Sequence, residues 1–260
     1  MTEPALRAFV LSGPGAAAAL DWLHVHADVR GVIEADDERV TVFVAAELPR
    51  LPFTDVLVSE TVIDAAACNL TGLEDDRVVA VAEDLIVRPP WVERPPGFEG
   101  IDLVVPRGAA FGSGEHASTQ AALLCLHALW NAPASLCDVG TGSGILAHYA
   151  AVRGCPAVSA CDIDPAAVAA AGALLPGARI HLGGADQLAP ADAVVANMTA
   201  VELGASLPAI LALWNGRGPL VLSGMRADEV GAIRARLPAT PDLRLERAPF
   251  HAVGIAGSRG

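Results

Sequence analysis

Apolar runs short enough for buried strands alternate with longer stretches of helical period along most of this chain. Ala5 to Leu11 is a predicted strand, Gly13-Pro14-Gly15 breaks it, and Ala16 to Val25 follows as a helix with Leu20 and Leu23 on one face. Val29 to Glu34 and Arg39 to Val44 alternate as a hairpin about Asp36-Asp37. The order β, α, β, β predicts a small α+β domain over residues 1–87, in which Val56 to Val58 is a further strand, Val62 to Leu70 a short helix and Arg77 to Val87 a strand-rich run. Arg88 to Gly97 carries four prolines, which remove backbone donors and restrict the preceding residues. Residues 88–100 are therefore expected to be a stiff interdomain linker.

From Ile101 the pattern predicts an α/β domain over residues 101–260. Strands are expected at Ile101 to Val105, up to Asp138, up to Asp162, at Ala178 to Leu182, Asp192 to Ala196 and Pro219 to Leu222. Helices are expected at Gln120 to Trp130, from Gly144, at Val201 to Trp214 and at Ala227 to Leu237. Leu243 to Arg247 and His251 to Ala256 close the chain as a hairpin. Ligands of such doubly wound sheets lie beyond the carboxyl ends of the strands, where Asp138, Asp162 and Asn197 fall.

The stretch from Leu136 to Ala170 states the chemistry most directly. A strand ends at Asp138, and the backbone turns through Gly140, Gly142 and Gly144, where a ligand lying on the turn or a positive φ excludes a Cβ. The following helix is expected to offer free amides at its N-terminus. Asp162, about 20 residues beyond the first glycine, stands where a carboxylate accepts ribose hydroxyls. A dinucleotide fingerprint needs a glycine at the sixth position for the pyrophosphate, and Ile145 stands there instead.

This GxGxG form, with Asp162 to Pro165, resembles the motifs of the class I S-adenosylmethionine-dependent methyltransferases. A second motif, Phe111 to Thr119 (FGSGEHAST), resembles the FGTGxHxTT signature of the PrmA family, methyltransferases of the eleventh protein of the large ribosomal subunit. Val194 to Met198 and Leu222 to Met225 resemble later motifs of that family in matching order. The resemblance implies a Rossmann-like class I methyltransferase sheet, mostly parallel with an antiparallel C-terminal hairpin, after a small substrate-recognition domain. It implies that S-adenosyl-L-methionine contacts Thr119, packs on Gly140 and the Gly142 and Gly144 turn, and binds Asp162 through its ribose. Asp186 is then placed near the adenine, and Asn197 at the methyl-transfer site. Read without the family, Ser118 or Thr119 caps the helix that follows. Pro106-Arg107-Gly108 departs from the family's acid-Pro-Gly, Ser113 replaces a threonine, and the tryptophan-rich segment before the linker is missing.

Composition narrows the alternatives. All 17 basic residues are arginines, so neither Schiff-base chemistry nor a phosphate-loop lysine is available. The five cysteines form no CxxC pair, and the expectation is no disulfide and no metal. His24 and His26 stand two apart, wrong for one helical face; His127, His148 and His181 are expected to be structural, and His116 an orienting or turn residue. No run of 18 apolar residues occurs and the N-terminus lacks a signal-peptide pattern, so a cytoplasmic location without a membrane partner is expected. The net charge of −13 opposes direct nucleic-acid binding. Residues 1–100 carry a net −11, a one-sided field that favours a basic protein partner.

The expected function is transfer of a methyl group to lysine or α-amino groups of a ribosomal protein. The alternatives are a protein-lysine methyltransferase with a non-ribosomal substrate and a non-catalytic S-adenosylmethionine-binding interaction protein. A nicotinamide oxidoreductase is disfavoured by Ile145.

Overall fold

The computed structural model describes residues 7–27, 29–36, 38–44, 47–61, 77–108 and 110–258. By its contacts the chain divides into residues 1–75 and 76–260. The helix expected at Val62 to Leu70 lies outside the described residues.

In the first unit, β1 (Arg7–Ser12), β2 (Val29–Asp36), β3 (Arg39–Val44) and β4 (Leu57–Thr61) form an antiparallel sheet of order β2-β3-β1-β4, against which α1 (Ala16–His26) packs. Leu20 and Leu23 of α1 are buried with Phe9, Leu11, Val40, Val42 and Val44, as the one-sided helical pattern requires. A bidentate Arg7–Glu60 pair at 2.8 and 2.9 Å ties edge strand β4 to β1.

The second unit begins with a three-stranded sheet of β5 (Val79–Ala82), β6 (Leu85–Arg88) and β7 (Ile101–Val104). β6 and β7 pair in parallel, Leu85 opposite Ile101 and Arg88 opposite Val104. The Pro-rich segment therefore connects two strands of one sheet inside this unit, and the division of the chain falls ahead of it, at Asp75. Arg88 holds both ends of the connection. Its guanidinium pairs with both oxygens of Asp102 and donates to the Val92 carbonyl at 2.6 Å.

The main sheet has the order β10-β9-β8-β11-β12-β14-β13. β8 (Ser135–Val139), β9 (Ala157–Asp162), β10 (Arg179–Leu182), β11 (Ala193–Asn197) and β12 (Leu220–Arg226) are parallel, and β13 (Leu243–Arg247) and β14 (Phe250–Ile255) form the antiparallel C-terminal hairpin. The nearly continuous burial of the central strands β8, β11, β12 and β14 fits coverage on both faces. One core joins this sheet to β5–β7 through α2 (Ala117–Ala128) and α3 (Ile145–Val152). The opposite face is covered by α5 (Ala200–Leu213) and α6 (Val230–Arg234), while α4 (Pro165–Leu174) lies beside β9 and β10. A capping box between Thr199 and Glu202 starts α5 directly after Asn197 and Met198. α6 is shorter than the pattern of Ala227 to Leu237 suggested, because Arg226 to Glu229 is a turn closed by the Arg226 amide on Glu229 Oε2 at 2.6 Å. No helix among the described residues is long and apolar enough to cross a membrane.

Candidate active site

The order of the parallel strands reverses between β8 and β11, and the carboxyl ends of both border the resulting crevice. Buried polar side chains gather there: Ser118 and Thr119 in the first turn of α2, Asp138, Thr141 and Ser143 in and after β8, and Ser223 in β12. Burial of polar groups is costly unless they are bonded, so this cluster marks a constructed site.

The glycine turn is closed on itself. The amides of Gly140 and Thr141 both donate to the Cys161 carbonyl, Gly142 donates to Asp162 Oδ2 at 2.9 Å, Ser143 donates to the Phe111 carbonyl at 2.7 Å, and Gly144 donates to the Thr141 carbonyl. All five amides of residues 140–144 are thus satisfied internally. At the helix behind it, the Ala147 amide donates to Asp138 Oδ2 at 3.2 Å.

The three glycines have separate reasons. A Cβ on Gly142, at φ +54°, stands 2.4 Å from the Phe111 carbonyl oxygen. One on Gly144, at φ +89°, meets Ala171 and Leu175 of the α4 region at 3.2 and 3.3 Å, so this position serves helix packing. Gly140 faces the Met198 methyl, the far end of a flexible side chain, and nothing else within 4 Å.

Asp162 is half-buried at the end of β9. Oδ2 accepts from Gly142 and Oδ1 from the Asp164 amide at 3.0 Å, so the carboxylate has one orientation before any ligand arrives. Beside it Ile163 is 79% exposed, an apolar surface that sequence reasoning did not single out. Asp186 sits in a short 3-10 turn after β10 and accepts from Gln187 Nε2 at 2.8 Å.

Thr119 is fully buried, and its hydroxyl accepts from Asn197 Nδ2 at 3.3 Å. Asn197 Oδ1 is buried with no partner among the described residues. Ser223 Oγ donates to the Ser118 carbonyl at 2.9 Å and fastens the start of α2 to β12. The cap of α2 is His116, whose Nδ1 accepts from the Ser118 amide at 3.3 Å, rather than Ser118 or Thr119. The helix begins earlier than its apolar pattern suggested because an imidazole supplies that acceptor.

Asp138 carries a second unpartnered oxygen in the crevice. Oδ2 accepts from Thr141 Oγ1 at 2.7 Å and from Ala147, and Oδ1 has no partner among the described residues. Burial pushes its carboxyl up to about 7, the Asp162 charge adds to the rise, and the two donors oppose it. Cys125 and Cys161 are pushed up to about 12 by burial and are inert as nucleophiles near neutral pH.

A parallel sheet with an antiparallel C-terminal hairpin, and an acid-ended second strand beside a GxGxG turn, define the class I methyltransferase fold. The family model described as "Ribosomal protein L11 methyltransferase (PrmA)" matches residues 77–247. A relative of that description from Dechloromonas aromatica is 33% identical over 228 residues, 85% of this chain and 75% of its own length. One from Synechococcus is 36% identical over 178 residues, 61% of this chain and 57% of its own length. The solved structure of the ribosomal protein L11 methylase from Lactobacillus delbrueckii matches 70% of this chain and 100% of its own, with a TM-score of 0.63 and 27% identity. The chain belongs to the PrmA family of ribosomal protein L11 methyltransferases. Its match spans less than two thirds of the Synechococcus relative.

Proposed function

We propose that this protein transfers a methyl group from S-adenosylmethionine to lysine or α-amino groups of a basic ribosomal protein. The observation that carries the reading is the unpartnered Asn197 Oδ1, a buried acceptor at the end of β11 in a chain of this family. An amine N–H satisfies it.

The remaining residues suit the donor. Each Asp162 oxygen accepts one amide and retains a lone pair for a ribose hydroxyl. Ile163 supplies an apolar face for adenine and Asp186 an acceptor for its amino group. Gly140 leaves room once the Met198 side chain shifts, while Gly142 and Gly144 keep the turn in shape. Thr119 is sealed from solvent and acts through its bond to Asn197. Ile145 in place of the sixth-position glycine argues against a nicotinamide dinucleotide.

When bound, S-adenosylmethionine supplies a methyl group activated on a sulfonium. The protein's part is alignment and exclusion of water. An ammonium has no lone pair, so a crevice that desolvates it lowers its pKa and raises the reactive fraction. Asn197 is suited to orient that amine through Oδ1, and an amide does not act as its base.

The test is transfer of labelled methyl from S-adenosylmethionine into ribosomal proteins purified from cells lacking this enzyme, with the site located by mass spectrometry. Label in the L11 protein is the expected result; no label in any amine, with the donor bound, overturns the proposal. The net charge of −13 adds a second expectation, that association with the basic substrate weakens as salt rises. A flat salt response removes the electrostatic part of the reading.

A further inference from the structure

This inference rests on the methyl-transfer reading of the crevice and concerns Phe111. The residue is 54% exposed although its backbone is held tightly, the carbonyl accepting from Ser143 and lying against Gly142. The ring meets the His116 imidazole at 5.0 Å with planes 65° apart, and the other side of the contact chain is Phe250, 4.7 Å from the same imidazole. His116 caps α2 three residues before Thr119, and Phe250 opens β14 opposite Arg226 of β12. The three rings thus link the glycine turn to the carboxyl end of β12, the strand whose Ser223 stands opposite Asn197. A singly exposed apolar side chain is ordinary, but this one is presented by a clamped backbone and a capped helix start at the rim of the crevice.

We propose that Phe111 offers its ring to the substrate nitrogen and stabilises the positive charge that forms there. In the transfer the N–C bond forms as the C–S bond breaks, and the electron pair of the broken bond stays on sulfur. The positive charge passes from sulfur to nitrogen, and the nitrogen then loses its proton to water. An aromatic face attracts a cationic nitrogen more than a neutral one. Asn197 Oδ1 orients the neutral amine, and Phe111 favours the charged nitrogen that follows. His116 and Phe250 are positioning residues that hold the ring.

Phe111→Tyr and Phe111→Leu separate this role from mere apolar contact, since leucine keeps bulk without a quadrupole. Phe111→Tyr is expected to retain kcat/KM for the protein substrate and Phe111→Leu to lose roughly tenfold. Calorimetric affinity for S-adenosylhomocysteine is expected to stay within about twofold in both, which also reports folding. A readout independent of turnover is the binding of a trimethyl-lysine peptide against its neutral carbon analogue. The wild type should prefer the charged peptide by roughly fivefold, and Phe111→Leu should abolish the preference. Wild-type activity in Phe111→Leu, or equal binding of the two peptides by the wild type, overturns the proposal. A wild-type protein that methylates no amine overturns the enzymatic reading beneath it, a result that needs no variant.

Discussion

Replacing Gly142 by alanine tests whether the turn is built by the protein's own packing rather than by the ligand. The new Cβ stands 2.4 Å from the Phe111 carbonyl oxygen, where ordinary contact begins at about 3.4 Å, so one of the two loops must move by about 1 Å. Alanine at φ +54° costs about 1 to 2 kcal/mol. Displacing Phe111 also strains its 2.7 Å bond from Ser143, worth about 1 kcal/mol. Moving Gly142 instead weakens the charge-assisted bond to Asp162, worth somewhat more. The cost of restoring the native turn is thus about 3 kcal/mol, which raises the Kd for S-adenosylhomocysteine roughly 100-fold in calorimetric titration. Gly154→Ala is the control. Gly154 has φ +80° with nothing within 4 Å of a built Cβ, so its variant is expected to lose about 1 kcal/mol of stability and keep its affinity. Wild-type affinity in Gly142→Ala, or an equal loss in Gly154→Ala, refutes the reasoning.

Thr119→Val is nearly isosteric and strands Asn197 Nδ2, so kcat should fall roughly tenfold while S-adenosylhomocysteine affinity holds; Thr119→Ser should restore the rate, and an equal loss in both variants would show that packing alone matters. The folded-state pKa of Asp138, about 7, exceeds its ordinary 3.8, so between these values the folded protein binds more protons than the unfolded one and stability falls as pH rises through that window. Asp138→Asn keeps an acceptor for Thr141 and Ala147 without the charge. Urea unfolding should therefore show the variant gaining on the wild type from about pH 3 to about pH 8, with an upper limit on the order of 4 kcal/mol; a pH-independent difference would refute the assignment. His116→Ala removes the acceptor for the Ser118 amide and should cost about 1 kcal/mol in unfolding measurements, with His116→Asn retaining most of it; equal losses would show that the ring's packing outweighs its cap.

Much of this protein is legible in its amino-acid order. Residues at period 2 and period 3.6 place most elements to within a few positions, because burial on one or both faces demands those spacings. GxGxG between an apolar strand and a helix, with an acid ending the next strand, marks the turn and Asp162, since local backbone geometry and chain reach depend on few neighbours. The four prolines after Arg88 were a correct sign of irregular backbone and a poor guide to a boundary. Pairing of β6 with β7 depends on Ile101 to Val104, beyond the Pro-rich segment itself.

What the tertiary structure alone decided are contacts between residues remote in the chain. Gly142 is glycine on account of Phe111, Gly144 on account of α4, and Gly140 faces Met198, relations that the motif's spelling does not contain. Thr119 is buried and its hydroxyl meets Asn197, 78 residues away, because α2 packs against β11 and β12. The raised pKa of Asp138 likewise requires complete burial, and the chain of rings from Phe111 to Phe250 joins a loop to the final hairpin. Sequence periodicity records which side of an element is covered. It does not record which distant group does the covering, and at this site that partner decides each residue's role.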